Sequence, residues 1–205
     1  MPASTPVRRG GCADFWLCQC PTYRPRRRLF QGQIKIEEYS QLLVDLHTVY
    51  ESLEGALRHH ATDRHIAAIY FPVELNRVPS LQQDLQFLGA TGMQPTRAAV
   101  KYAEHLKGLS PLRLVAHAYV RYLGDLSGGQ QLSQRVRKSL NLPGCSGTLF
   151  YEFPAIADLK AFKDLFRQRL DSLDLPDQDI FVVTSEAVTA FRLNTAIFEA
   201  IDRIA

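Results

Sequence analysis

The stretch that decides the fold is LVAHAYVRYLGDLSGGQ, residues 114–130, which places three glycines inside a helical pattern. Apolar residues recur through it at three- and four-residue steps, the spacing of a helix with one buried face. Each glycine in a helix interior costs about 1 kcal/mol relative to alanine, so some feature must offset that cost. Gly124 and Gly128 lie one turn apart, and Asp125 and Gly129 share the adjacent edge. The pattern predicts a strip of bare backbone with a carboxylate beside it.

Two explanations account for this strip. The first is close packing of a neighbouring helix against the glycines. The second is a flat ligand that lies directly on the helix, which would also kink there. A carboxylate at the edge of such a site suits the delivery of a proton to a bound small molecule. The spacing of the glycines is compatible with both explanations.

The helical period continues on both sides of this stretch. Apolar side chains recur from Ile34 to Leu57, and Ser80 followed by Gln83 has the pattern of a capping box that starts another helix. Weak alternation over residues 147–153 predicts a short extended piece. The body is therefore predicted to be all-α, with six or seven helices around one core. Further helices are predicted to begin near Pro95, Ser110, Ile156 and Pro176.

The composition divides the chain into an irregular arm, residues 1–28, and a helical domain, residues 29–205. The arm holds six of the 24 basic residues and one of the 21 acidic residues, so it carries +5 and the remainder carries −2. The body is therefore not a basic nucleic-acid binder. The body has one cysteine, Cys145, and therefore cannot form a disulfide within itself. The lack of a disulfide framework predicts a cytoplasmic protein, because disulfides are rare in that compartment. We find no run of about 18 apolar residues and expect no transmembrane segment.

Three smaller features each allow a functional and a structural interpretation. Lys163 and Arg167 are four residues apart and could bind paired carboxylates, or they could belong to a solvated charged face. His117 lies among apolar neighbours, where a satisfied, semi-buried histidine is favoured over an iron ligand. Cys18 and Cys20 could bind zinc or ferric haem, or they could be free thiols on an exposed arm.

Residues 114–130 resemble the signature of haem oxygenase, the animal and bacterial type. Other segments resemble the same family, in the same order and at matching spacing from about Gly32 to Ile201. They are YFPVELNR at residues 70–77, LQQDL at 81–85, FKDLFRQRLDSL at 162–173 and the stretch from AFRLN to FE at 190–199.

The resemblance implies an all-α fold in which haem lies between a proximal helix and a kinked, glycine-rich distal helix. It implies an enzyme that opens haem to biliverdin and releases carbon monoxide and ferrous iron. The reaction would consume O2 and electrons, which a reductase would supply from NADPH. Haem and this reductase are the implied partners, and neither nucleic acid nor a membrane anchor is expected. Analogy with the family implies a location at the face of the endoplasmic reticulum.

The resemblance also implies roles for individual residues. Asp125 would support the water network that delivers protons during ring opening, and the glycines would let the backbone approach the haem face. Lys163, Arg167 and Tyr119 would contact the haem propionates. The implied catalytic residues are Asp125, Gly124, Gly128 and Arg121, and the implied haem-binding residues are Tyr119, Lys163, Arg167, Gly129, Tyr50, Phe191 and Asn194.

The chain departs from the family at the iron ligand. Members bind iron through a histidine upstream of the segment that matches Phe30–Gln33, which corresponds to a position near Leu17 in this chain. No histidine precedes His47, so no metal-ligating residue is predicted. An active enzyme would need water, Cys18 or Cys20 in place of the histidine, or it would have to act with a weakly held iron. The alternative hypothesis is a catalytically impaired haem-binding protein that lacks the axial ligand.

Overall fold

The computed structural model describes residues 33–203. In this range the chain forms eight α-helices and one 3₁₀ turn, and no residue is in a strand, so the predicted all-α fold is confirmed. The expectations for the arm, including those for Leu17 and Cys18, lie outside the described residues. The helices are α1 (Ile36–His59), α2 (Arg64–Ala67), α3 (Pro72–Leu75), α4 (Val78–Phe87), α5 (Arg97–Lys107), α6 (Pro111–Leu140), α7 (Leu159–Asp171) and α8 (Asp177–Asp202), and the 3₁₀ turn is Leu149–Tyr151.

Helix α1 passes through the centre of the domain and packs against α4, α5, α6 and α8. Its predicted apolar stripe is buried along its whole length, from Tyr39 to Leu57. Full burial of one such leucine stabilises the fold by about 1.5–3 kcal/mol, so this stripe is a main source of stability. Because α1 is enclosed on several sides, its polar residues Gln41, Asp45 and Glu54 are buried as well.

Buried carboxylates of α1 determine where its neighbours begin. The Asp45 carboxylate accepts hydrogen bonds from the Thr96 amide at 2.7 Å and the Thr96 hydroxyl at 2.6 Å. The Thr96 hydroxyl in turn accepts from the Ala99 amide, so α5 begins where the sequence predicts. Asp45 therefore joins the N-terminus of α5 to α1.

The predicted start of α4 at Ser80 is wrong. Helix α4 begins at Val78, and Ser80 lies inside its first turn. The Glu54 carboxylate of α1 accepts from the backbone amides of Arg77 and Val78, which are the groups that a local cap would have satisfied. The acceptor comes from a distant part of the chain, so a local capping pattern could not reveal it.

The predicted extended piece at residues 147–153 is also wrong, because its centre is the 3₁₀ turn Leu149–Tyr151. The buried Asp84 carboxylate of α4 accepts from the amides of Leu149 and Phe150, each at 2.8 Å. Short-range bonds from Tyr151 N–H to the Thr148 carbonyl and from Glu152 N–H to the Leu149 carbonyl complete the turn. Asp84 therefore determines the path of the segment that leads Tyr151 to α6.

Helix α8 bears on the expectation of no transmembrane segment. Its stretch Asp177–Ile201 is long and apolar enough to cross a membrane by length and composition alone. The expectation considers only uninterrupted apolar residues. This criterion uses the mean hydropathy of an 18-residue window, which can be high even when the window holds one or two charged residues. Only 22% of its most apolar 18-residue window is buried, although α8 packs against α1, α5 and α6.

Replacement of Asp84 by alanine tests the role of this carboxylate. Asp84→Ala should lower the free energy of unfolding by about 2–4 kcal/mol, because two backbone amides lose their acceptor. Chemical denaturation of the purified protein measures the change. Gln83→Ala is the matched control, since Gln83 is exposed on the same helix and should change stability by less than about 0.5 kcal/mol. Equal stability of the two variants would contradict this role.

Candidate active site

The Asp125 carboxylate on α6 is held by two side chains. The Tyr50 hydroxyl of α1 donates a hydrogen bond to one carboxylate oxygen of Asp125. Arg121, one turn earlier on α6, donates from Nη2 to the other oxygen at 3.3 Å. The Asp125 side chain is 13% exposed and the Arg121 side chain 7%. The carboxylate is therefore fixed in orientation at the edge of a largely buried cluster.

Arg121 joins three helices at this site. Its Nη1 donates to Oδ1 of Asn194 on α8 at 2.6 Å, and its Nε donates to the Tyr50 hydroxyl at 3.3 Å. The guanidinium carbon also lies 5.0 Å from the centre of the Tyr50 ring. The structure thus brings together four predicted site residues, Tyr50, Arg121, Asp125 and Asn194, in one hydrogen-bonded network.

Burial sets the protonation of this network. Burial raises the pKa of Asp125 above its ordinary value, and Arg121 and the Tyr50 hydroxyl oppose part of that rise. Burial also raises the pKa of Tyr50 well above 10, so its hydroxyl stays protonated and donates. Burial alone would lower the pKa of Arg121, but Asp125 and Tyr50 outweigh it and the guanidinium stays charged. The network therefore presents a carboxylate of raised proton affinity beside a fixed cation.

The glycines of α6 differ in what they face. Helix α6 runs without interruption through Gly124, Gly128 and Gly129. Among the described residues, a Cβ atom at Gly128 would meet nothing within 4 Å, whereas one at Gly129 would lie 3.3 Å from the Tyr151 ring. Close packing therefore accounts for Gly129. Gly128 borders open space, as a surface that receives a flat ligand requires.

The remaining predicted residues lie on three helices. Lys163 and Arg167 are half-buried on α7, and Arg167 donates to Asp164 at 2.9 Å. That ion pair is exposed, and such pairs contribute little to stability, so the guanidinium can exchange partners at small cost. Tyr119 on α6 and Phe191 on α8 are half-buried.

The sequence predicts a satisfied, semi-buried histidine at His117. The structure confirms that its ring nitrogens have partners, and it buries the side chain completely. Its Nδ1 lies 3.0 Å from the Tyr102 hydroxyl and its Nε2 lies 3.1 Å from a carboxylate oxygen of Glu186. Sequence reasoning did not identify Glu186 or the polar role of Tyr102. Glu186 is 69 residues from His117 in the sequence, and no local spacing indicates that the two meet.

The two adjacent glycines provide a matched test. Gly128→Ala should raise the free energy of unfolding of the ligand-free protein by about 1 kcal/mol, because helix propensity improves and the new methyl group meets no atom. Gly129→Ala gains the same propensity but presses on Tyr151, so it should be the less stable variant. Denaturant midpoints measure the difference. A Gly129→Ala variant as stable as Gly128→Ala would show that Tyr151 does not require the glycine.

Comparison with known proteins identifies the family. The family model for haem oxygenase matches residues 22–200. A haem oxygenase of Rhodella violacea is 40% identical over 178 residues, which cover 83% of this chain and 75% of the relative. Haem oxygenase 2 of Synechocystis is 41% identical over 182 residues, which cover 84% of this chain and 72% of the relative.

Solved structures agree with the sequence relatives. Haem oxygenase-2 from Synechocystis, in complex with haem and NO, superposes with a TM-score of 0.84 at 38% identity, covering 88% of this chain and 78% of that chain. Haem oxygenase from Leptospira interrogans superposes with a TM-score of 0.80 at 39% identity, covering 84% and 87%. The matched fold, the matched residues and the polar network on the glycine-rich helix together show that this chain belongs to the haem oxygenase family.

Proposed function

We propose that this chain is a haem oxygenase, an enzyme that opens its substrate haem to biliverdin and releases carbon monoxide and ferrous iron. Family membership supports the reaction class. One observation carries the assignment to a site: the Asp125 carboxylate is held by Arg121 and Tyr50 on the helix whose Gly128 borders open space. A flat substrate on that helix would lie beside a carboxylate of raised proton affinity.

The glycine face of α6 would receive the haem plane. Gly128 has room for a ligand atom where other residues would carry a Cβ atom, and Gly124 lies one turn earlier on the same face. The backbone could then approach the ring closely and restrict the direction from which it is attacked. Such restriction would favour opening of the ring at one position. A flat, apolar substrate would therefore fit against this face of α6.

Asp125 would hold and pass protons at the edge of the ring. Both of its oxygens accept hydrogen bonds, and the exposed part of the carboxylate can accept a further bond from water. Protons taken from solvent would reach the reacting end of the substrate through such water. Arg121 would keep the carboxylate oriented throughout, because its guanidinium remains charged at every physiological pH.

The cationic side chains of α7 would bind the haem propionates. Lys163 and Arg167 lie one turn apart, and Arg167 needs only to release the exposed Asp164. Guanidinium groups bind carboxylates with two parallel hydrogen bonds, so Arg167 suits this role. Tyr119 would add a contact to a propionate, and Phe191 would line the pocket from α8.

By the spacing of the family the iron ligand would fall near Leu17, and no histidine precedes His47 in the sequence. Water or a cysteine thiolate of the arm, from Cys18 or Cys20, would take the position. A thiolate favours O–O cleavage, whereas a neutral ligand disturbs ring attack less, so we favour water. O2 and electrons from NADPH through a reductase complete the proposed reaction, and a cytoplasmic location stays a prediction.

Reconstitution tests the proposed function directly. Purified protein should bind haemin and, with NADPH and a haem oxygenase reductase, convert it to biliverdin with release of carbon monoxide. Absorption spectra follow the loss of the haem band, and myoglobin traps the gas. Asp125→Ala should bind haemin with unchanged affinity but open the ring at least about 100-fold more slowly, because the organised proton supply is lost.

The exposed carboxylate of Glu104 on α5 provides the control, since Glu104→Ala removes an acid outside the site and should open haem at the wild-type rate. Haem binding without any conversion by the wild-type protein would contradict the proposed function. Full activity of Asp125→Ala would remove Asp125 from the reaction while leaving the family assignment unchanged.

A further inference from the structure

Two histidines and a glutamate converge outside the candidate active site, where α5, α6 and α8 meet. Glu186 of α8, which is 2% exposed, is at the centre of this cluster. One oxygen of its carboxylate lies 2.6 Å from Nε2 of His105 on α5 and 3.1 Å from Nε2 of His117 on α6. In the part of the chain that the structure describes, this is the one group of three histidine, cysteine or acidic side chains whose ligand atoms all lie within 4.8 Å of one another.

The three donor atoms suit a divalent transition metal. Two imidazole nitrogens and one carboxylate oxygen are a common set of protein ligands for zinc, with water in the fourth position. Zinc bonds of about 2.0–2.1 Å in a tetrahedral site place neighbouring ligand atoms about 3.3 Å apart. Both distances from the Glu186 oxygen are within about 1 Å of this value. A zinc ion would therefore require only small movements of these side chains.

The other ring nitrogen of His117 already has the kind of partner that a metal-bound imidazole requires. Its Nδ1 lies 3.0 Å from the Tyr102 hydroxyl. Without metal, the neutral ring places its proton on Nε2, because the carboxylate of Glu186 can only accept. With zinc on Nε2, the proton would lie on Nδ1 and donate to the Tyr102 oxygen. Since a hydroxyl group both donates and accepts, Tyr102 supports the ring in either state.

The second oxygen of Glu186 is held by Arg113. This residue lies one turn before His117 on α6, and its Nη1 donates to the oxygen at 2.5 Å. The contact keeps Glu186 ionised and leaves the other oxygen to face the two imidazoles, so the carboxylate would bind zinc through one oxygen. The charge of Arg113 opposes a nearby cation. Its side chain is 47% exposed, however, so water weakens the repulsion.

The cluster also offers a route of entry for an ion. The His105 side chain is 33% exposed, whereas Glu186 and His117 are buried. A hydrated ion would therefore arrive from the side of His105, where a water molecule can remain as the fourth ligand. Each protein ligand comes from a different helix, and α8 packs against both α5 and α6. Spacing within one helix could not reveal such a site.

We propose that His105, His117 and Glu186 form a site for Zn²⁺ that joins α5, α6 and α8. The same donors bind Fe²⁺, but the usual order of stability places Zn²⁺ above Fe²⁺, so zinc is the metal assigned. The ion would stabilise the packing of the three helices. This inference goes beyond the proposed function and does not depend on it, because the site contains none of the residues proposed to bind or open haem.

Zinc titration of the chelator-treated, haem-free protein tests the proposal. Thiolates also bind zinc, so the full-length chain carries Cys12→Ser, Cys18→Ser, Cys20→Ser and Cys145→Ser. Competition with a chromophoric zinc chelator should show one Zn²⁺ per chain of this cysteine-free parent, with a Kd in the micromolar range or below. Zinc at about 100 times the Kd should raise the Tm by about 5 °C or more, because the ion binds only the folded chain.

Single substitutions in the cysteine-free parent locate the ion. His105→Ala should weaken zinc binding by at least about 100-fold, and His105 is partly exposed, so its loss leaves the core intact. His59→Ala is the matched control: it removes an exposed histidine of α1, and its zinc affinity should equal that of the parent. Tyr102→Phe removes the partner of Nδ1 and should weaken binding by about 10- to 100-fold.

Ring nitrogen shifts in ¹⁵N NMR identify the bound atoms. Zinc should shift the Nε2 signals of His105 and His117 and move the His117 proton to Nδ1. The proposal would be overturned if the parent bound no zinc, if His105→Ala bound it as tightly as the parent, or if binding left both Nε2 signals unchanged. Haem turnover is measured separately, so a failure to open haem would remove the proposed function without bearing on zinc, and a lack of zinc binding would leave the proposed function intact.

Discussion

The buried ion pair between Arg121 and Asp125 is the interaction on which the candidate active site depends. A carboxylate and a guanidinium removed from water each lose solvation, and their mutual attraction compensates only when further hydrogen bonds satisfy both groups. Here the Tyr50 hydroxyl donates a hydrogen bond to Asp125, and the side-chain oxygen of Asn194 accepts one from Arg121. The pair lies on the glycine-bearing helix, so in the proposed function the residues that stabilise the charges would also determine where the substrate finds its proton source.

Buried carboxylates also organise the frame around this pair. Asp45 and Glu54 of α1 and Asp84 of α4 each accept two bonds from one distant segment, at the start of α5, the start of α4 and the 3₁₀ turn. An unpaired amide at each place would cost about 1–3 kcal/mol, so these contacts specify where elements begin as well as adding stability. The same use of a carboxylate recurs at Glu186, whose partners are side chains. Both the positions of helices and the orientations of side chains thus depend on hydrogen bonds to buried carboxylates.

Patterns that repeat within one helix were predictable from the sequence, and contacts between distant segments were not. The stripe from Tyr39 to Leu57, the cap at Thr96 and the start of α6 after Ser110 follow from local chemistry, and the structure has them. The start of α4 was misplaced at Ser80 because Glu54 supplies the cap. The alternation over residues 147–153 predicts an extended piece, but Asp84 of another helix accepts the amides of Leu149 and Phe150 and a 3₁₀ turn forms there.

The same division applies to the site. Resemblance to the haem oxygenase family indicated Tyr50, Arg121, Asp125 and Asn194, and the structure joins them in one network. Spacing alone left packing and ligand binding open for the glycines. In the structure Gly129 packs on Tyr151, which accounts for that glycine, while no described residue lies within 4 Å of a Cβ atom at Gly128, where ligand binding stays a prediction. Glu186 carries no local signal, because its partners come from other helices.

A double-mutant cycle on the unfolding free energy of the ligand-free protein tests the central claim most directly. The cycle compares wild type, Arg121→Met, Asp125→Asn and the double variant. If the pair is the interaction that the site depends on, each single variant leaves the other group unsatisfied, and the coupling energy between the two residues exceeds about 1 kcal/mol. Additivity of the two substitutions to within about 0.3 kcal/mol would show that Arg121 and Asp125 do not stabilise each other, which would contradict the account.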